Sequence, residues 1–267
     1  MTRGGVLPAI AGIILVVSVV AAFVFQLWRP VFISFAISSG MALLVVMGSG
    51  ALIRQISNVC GAIAIFVGKL SSWIVMPLIL MIMFDVITRK IEYIKVRNAE
   101  ITETYGFSVS FILQDLQWHL HGALLLMTFG FGYMLNSHVR VDIFRESFSR
   151  RGQVWIETFG LTVLAIPFMM VMIGFSYDFV AASWSQGEGS ESMVGLGQRW
   201  FIKSFLIWGF VIALLAALAT LMRCHNFLHG NFEEQAIAEE DLQFFTDNDS
   251  MSKLILEQNE DAREGGR

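Results

Sequence analysis

The stretch SFLIWGFVIALLAALATLM, residues 204–222, holds nineteen residues without one Asp, Glu, Lys or Arg. A helix of that length crosses about 30 Å of hydrocarbon. Four more uncharged runs of similar length stand elsewhere in the chain: Val6–Trp28, Val31–Ile53, Leu116–Ser137 and Thr158–Tyr177. A sixth, Leu70–Ile87, carries a single acid, Asp85, near its end. Charged residues are 15% of the 267-residue chain, against about 25% in soluble domains. The reading is an all-α membrane protein with six spans.

The first run is longer than the apolar part of a signal peptide and is preceded only by Arg3, so a retained helix is expected. Arg29–Pro30 is the only break before Val31, and residues 1–55 read as an N-terminal transmembrane hairpin. Residues 56–228 hold four spans joined by polar loops. Residues 229–267 form an acidic tail. From Asn231 to Arg267 it carries eleven acids against three bases. It reads as a mobile solvated segment in the cytoplasm, with one weakly amphipathic helix possible over Phe232–Phe245. Cys60 and Cys224 are too few for a disulfide framework or metal cluster, and a single bridge between them is left open. Counting Lys and Arg in the loops gives eight on the side of both termini and seven on the other. That is a narrow vote for cytoplasmic termini.

Three polar stretches interrupt the apolar pattern. The segment HVRVDIFRESFSRR carries six charges between Val139 and Arg151, too many for lipid, so it lies at or beyond the headgroups. If extended, it puts His138, Arg140 and Asp142 on one face. It serves either as an interfacial elbow with an Arg–Asp pair and contacts to lipid phosphates, or as a docking surface for a partner. The island LQDLQWHLHG, residues 113–122, sets Asp115 and His119 one helical turn apart, where they can pair. It is either a polar anchor against another subunit or a metal or haem site using His119 and His121. Two histidines at that spacing point about 200° apart on a helix, so haem ligation would need His138 or His225 as well. The stretch WSQGEGSESMVGLGQRWFIKS, residues 184–204, has glycines at 187, 189, 195 and 197 and reads as a loop between the last two spans. Trp184 and Trp200 bracket it in the manner of an aromatic belt, and Glu188 and Glu191 face Arg199 and Lys203. No phosphate-binding loop, HExxH, CxxC or G-x-S-x-G is present, so an enzyme is not expected.

Taken in order, QWHLHGALLLM, GYMLNSHVRVDIF, RRGQVWIETFG and SWSQGEGSESMVGLGQRWFIKS resemble the small membrane subunit of tripartite ATP-independent periplasmic (TRAP) transporters, the DctQ family. The resemblance covers about residues 57–222, with Gly197 where proline is common; the hairpin and the tail are additional to the family's four-span core. It implies a small permease subunit in the bacterial inner membrane. Its partners would be a large permease subunit holding the substrate and sodium sites, a periplasmic binding protein that delivers an organic anion, commonly a carboxylate, and membrane lipids. No cofactor and no nucleic acid are implied. His138, Arg140 and Asp142 would then set a cytoplasmic elbow, Asp115 and His119 a polar helix end, and Trp184, Glu188, Ser190, Arg199, Trp200 and Lys203 a periplasmic loop. All eleven would serve subunit or lipid contact rather than substrate. The rival reading is a haem-bearing membrane anchor of a respiratory enzyme, motivated by the five histidines. A carrier acting alone is a further alternative.

Overall fold

The computed structural model describes residues 50–137, 148–192 and 194–242, and among them every regular element is helical. In chain order these are α1 (Gly50–Ser72), α2 (Val75–Thr88), α3 (Glu92–Tyr105), α4 (Val109–Met134), α5 (Arg150–Phe159), a π-helical turn (Gly160–Ala165), α6 (Ile166–Ser185), α7 (Trp200–His229) and α8 (Phe232–Asp241).

Six spans were expected. Among the described residues three helical stretches are long and apolar enough to cross a bilayer: Gly50–Thr88, Arg150–Ser185 and Trp200–His229. The run at Leu116–Ser137 forms most of α4, but Gln114, Asp115, Gln117, His119 and His121 dilute its apolar character, and α4 is not among the three. The run Val6–Trp28 and most of Val31–Ile53 lie outside the described residues, as does the tail beyond Leu242. Residues 54–69 lie between the uncharged runs that end at Ile53 and begin at Leu70. They are helical throughout, because Arg54 and Lys69 are isolated charges in an otherwise helix-compatible stretch.

The packing of α1 inverts the rule for soluble proteins. From Ser57 onward its buried side is a stripe of small residues, Ser57, Gly61, Ala64, Gly68 and Ser71, spaced by four, three, four and three positions, after the buried Ile53 near its start. Its exposed side carries Leu52, Ile56, Val59, Ile63, Phe66 and Leu70, also spaced by fours and threes. Lipid is as apolar as leucine, so helices in a bilayer gain by close approach of backbones, and small residues permit it.

The chain divides into two compact units. In the first (residues 1–61, 133–167 and 216–267), the Ser57 hydroxyl donates to the Ala219 carbonyl at 2.9 Å and the Asn226 amide donates to the Gly50 carbonyl at 3.3 Å. Val154, Cys224, Phe227, Ala238 and Leu242 form its apolar core. Helix α8 therefore docks: Glu234 accepts from the Asn231 N–H at 3.1 Å to cap it, Arg223 donates to the Asp241 carbonyl at 3.2 Å, and Arg150 pairs with Glu239. Both cysteines are free thiols. The π-helical turn ends two residues before Pro167, whose missing N–H leaves a carbonyl that regular α-geometry would have used.

In the second unit (residues 62–132 and 168–215), α4 and α7 touch backbone to backbone. A Cβ on Gly130 would meet the Ile212 carbonyl oxygen at 2.8 Å, and one on Gly209 would meet the Leu126 carbonyl oxygen at 2.9 Å. The turn after α3 needs glycine too: Gly106 has φ 72° and closes the helix by donating to the Thr102 carbonyl. Of the three long apolar stretches, Trp200–His229 has half of its most apolar window buried, against 28% for Arg150–Ser185 and 17% for Gly50–Thr88.

Candidate functional site

Within two turns of its start, α4 gathers three other elements of the second unit. The Ser108 N–H donates to the Val194 carbonyl at 2.9 Å. The side-chain oxygen of Asn98, on α3, accepts from the Val109 N–H at 2.9 Å, satisfying one of the amide groups a helix start leaves unpaired. Ser110 donates to Asp85 on α2 at 3.4 Å. The Gln114 amide, oriented oxygen-inward, accepts from the Arg89 guanidinium. Asp115 Oδ2 accepts from the Leu196 N–H at 2.9 Å.

Asp85 is the buried charge of this node, 4% exposed. A lone carboxylate there would be costly. Arg89 answers it as a fork, Nε to Oδ1 at 3.0 Å and Nη2 to Oδ2 at 2.7 Å. Sequence reading noted the acid but gave it no role. The signal was present in DVITR, residues 85–89, where an acid precedes an arginine by one helical turn.

The loop from Gln186 to Arg199 is shaped by its charges and glycines. Lys203 pairs with Glu188, and Arg199 reaches Glu188 at 3.8 Å and Glu191 at 3.4 Å. The Lys203 ammonium also stands 3.9 Å above the Phe179 ring, a favourable cation–π placement. The Lys203 hydrogen bond holds the Glu188 carboxyl below its ordinary range. The Arg199 N–H donates to the Glu188 carbonyl at 3.1 Å, closing the loop across its base. Trp184 and Trp200 meet edge to face with ring centroids 4.5 Å apart. Gly195 is packed so closely by the side-chain oxygens of Asp115, Ser190 and Ser192 that an added Cβ would displace them. Ser190 and Ser192 share a hydroxyl hydrogen bond of 2.9 Å.

The structure thus brings Asp115, Glu188, Ser190, Arg199 and Lys203 onto one loop assembly, with Trp184 and Trp200 at its ends. The expected Asp115–His119 pairing differs. The His119 ring bonds the Asp115 backbone carbonyl, and the carboxylate, 81 positions from its partner, serves the loop instead. His138, Arg140 and Asp142 lie outside the described residues. His225 and His229, one turn apart on α7, stack with centroids 5.0 Å apart, and Trp155 meets His229 edge-on. Among the described residues no group of three or more potential ligands could hold a metal ion, and no observation supports a haem. The assembly fixes a polar surface: every charge named in it is committed to a neighbour.

Residues 78–226, just over half of the chain, match the family model described as tripartite ATP-independent periplasmic transporters, DctQ component. No curated protein and no solved structure matches the chain.

Proposed function

The chain belongs to the DctQ component family of tripartite ATP-independent periplasmic transporters, and from that membership we propose that it is the scaffold subunit of a sodium-coupled importer of an organic anion, a carboxylate by the family's habit. It works beside a large permease subunit that moves the substrate and a periplasmic binding protein that delivers it. The chain sits in the bacterial inner membrane with six spans and both termini in the cytoplasm. The family match carries this reading, because it covers α2 through α7 except for the first three residues of α2 and the last three of α7.

The physical features support a bracing part rather than a moving one. Asp85 is locked to Arg89, Asp115 to the loop, and Glu188 to Lys203. The interface residues we assign are Asp115, His119, Trp184, Glu188, Ser190, Arg199, Trp200 and Lys203 around the loop, and His138, Arg140 and Asp142 in the elbow. The exposed large residues of α1 and α2 face lipid or the large permease.

The test is reconstitution. Liposomes holding this chain, the large permease and the binding protein should take up substrate with a sodium gradient, and liposomes holding this chain alone should not. Uptake by this chain alone, or full uptake by the large permease without it, overturns the proposal.

A further inference from the structure

Between α2, α3 and α4 of the second unit lies a half-open cavity of about 320 Å³, near the lower end of small-ligand sites. Its wall is mostly apolar, built by Phe84, Ile94, Val109 and Leu113, and two cations stand on it, Arg89 and Lys95. Neither the scaffold role nor the loop assembly uses this space.

We propose that this cavity binds an anionic phospholipid, the phosphate held by Lys95 beside Arg89 and the start of an acyl chain lying along the apolar wall. Four observations converge on that occupant. The cavity opens directly after Thr88, where the apolar stretch Gly50–Thr88 ends, the level at which hydrocarbon gives way to headgroups. The segment from Arg89 to Arg97 carries four cations, Arg89, Lys90, Lys95 and Arg97, against the single acid Glu92, and such an excess of positive charge at headgroup level attracts an anionic headgroup in either leaflet by simple Coulomb attraction. Tyr93 and Tyr105 on the same α3 are 74% and 70% exposed, the placement of interfacial aromatics. Finally, the two cations differ in a way that suits the task. The fork of Arg89 is turned inward onto Asp85, which fixes it in place. Among the described residues the ammonium of Lys95 pairs with exposed Glu92, at 3.0 Å. An exposed pair of that kind is weak, and an ammonium has three donors, so a phosphate oxygen joins it readily. A soluble anion would have no use for the apolar wall, and a neutral lipid none for the cations.

The full-length chain, purified in mild detergent, is titrated with phosphatidylglycerol, phosphatidylcholine or inorganic phosphate, and bound lipid is counted by native mass spectrometry. Phosphatidylglycerol should be retained at least about fivefold more tightly than phosphatidylcholine, and inorganic phosphate should not compete at equal concentration. Lys95→Ala removes the headgroup donor, and Ala99→Trp fills the cavity from an exposed position of α3. Each should lower phosphatidylglycerol occupancy about fivefold or more. Arg97→Ala removes an equal charge outside the cavity and should change it less than twofold. Equal retention of the two lipids, or equal losses in all three variants, would overturn the proposal by showing binding without charge selection or without the cavity. Displacement by inorganic phosphate would overturn the acyl-chain part and leave a simple anion site. Far-ultraviolet circular dichroism confirms that each variant is folded, and the two independent variants keep the test decisive if one is not.

Discussion

The carboxylate of Asp115 and the backbone amide of Leu196 are joined by a 2.9 Å hydrogen bond that spans 81 positions of sequence. A helix side chain thereby holds a glycine-rich loop beside Gly195, where an added Cβ would push that same carboxylate out of place. The loop has one shape because its amide has one acceptor.

Asp115→Ala removes that acceptor and leaves the part-buried Leu196 N–H without a partner, at a cost of about 1–3 kcal/mol. The loss should be local. Amide exchange should accelerate over residues 187–198 and stay unchanged in the half of α7 beyond Leu215. Asp115→Asn keeps an oxygen acceptor and should recover most of the protection.

Two glycines of α4, eight positions apart, should respond in opposite ways to alanine. A methyl on Gly130 meets the Ile212 backbone oxygen at 2.8 Å, whereas one on Gly122 meets nothing within 4 Å. Gly130→Ala should destabilise by about 1–3 kcal/mol, since backbone cannot swing aside as a side-chain tip can. Gly122→Ala should stabilise by about 0.5–1 kcal/mol through helix propensity. Thermal unfolding in detergent reads both.

Arg89→Ala strands the Asp85 carboxylate, 4% exposed. Breaking a buried pair on one side costs about 3–5 kcal/mol, and the lower end applies because Arg89 itself is 43% exposed. Replacing both partners, Asp85→Leu with Arg89→Leu, should recover much of that loss. A double-mutant cycle on the unfolding midpoint measures the coupling, and additive effects would show that the fork contributes nothing.

The Glu188 carboxyl is held below its ordinary value of 4.5, first by the Lys203 hydrogen bond. A depressed carboxyl stabilises the folded loop above its unfolded value, and that contribution fades as pH falls through the folded one. Loop exchange protection should therefore be flat from neutral pH down to about 4.5 and decline below it. Glu188→Gln should flatten that acid limb.

The uncharged runs made membrane helices legible at once, and the opposed charges of residues 188–203 announced the loop's ion pairs. The continuous helix from Gly50 was harder. Arg54 and Lys69 look like loop markers, but they sit on a helix whose small residues recur at 57, 61, 64, 68 and 71. That spacing was readable and outweighs two isolated charges. The Asp85–Arg89 pair was equally readable as one helical turn. The partner of Asp115 was not, because a hydrogen bond across 81 positions follows from chain packing rather than from local pattern. Nor was the docking of α8: its mean composition is polar, and only Ala238 and Leu242 tie it to the core.

From Ser57 to Ser71 of α1 the small residues are interior and the bulky ones outward, so the tolerance of mutation there should be turned inside out relative to a water-soluble helix. Exchanges such as Phe66→Leu, drastic in a soluble core, should be silent. A single added methyl at Gly68, which Phe131 covers, should be disabling. Inherited variation along α1 would then concentrate on its largest side chains and spare its smallest.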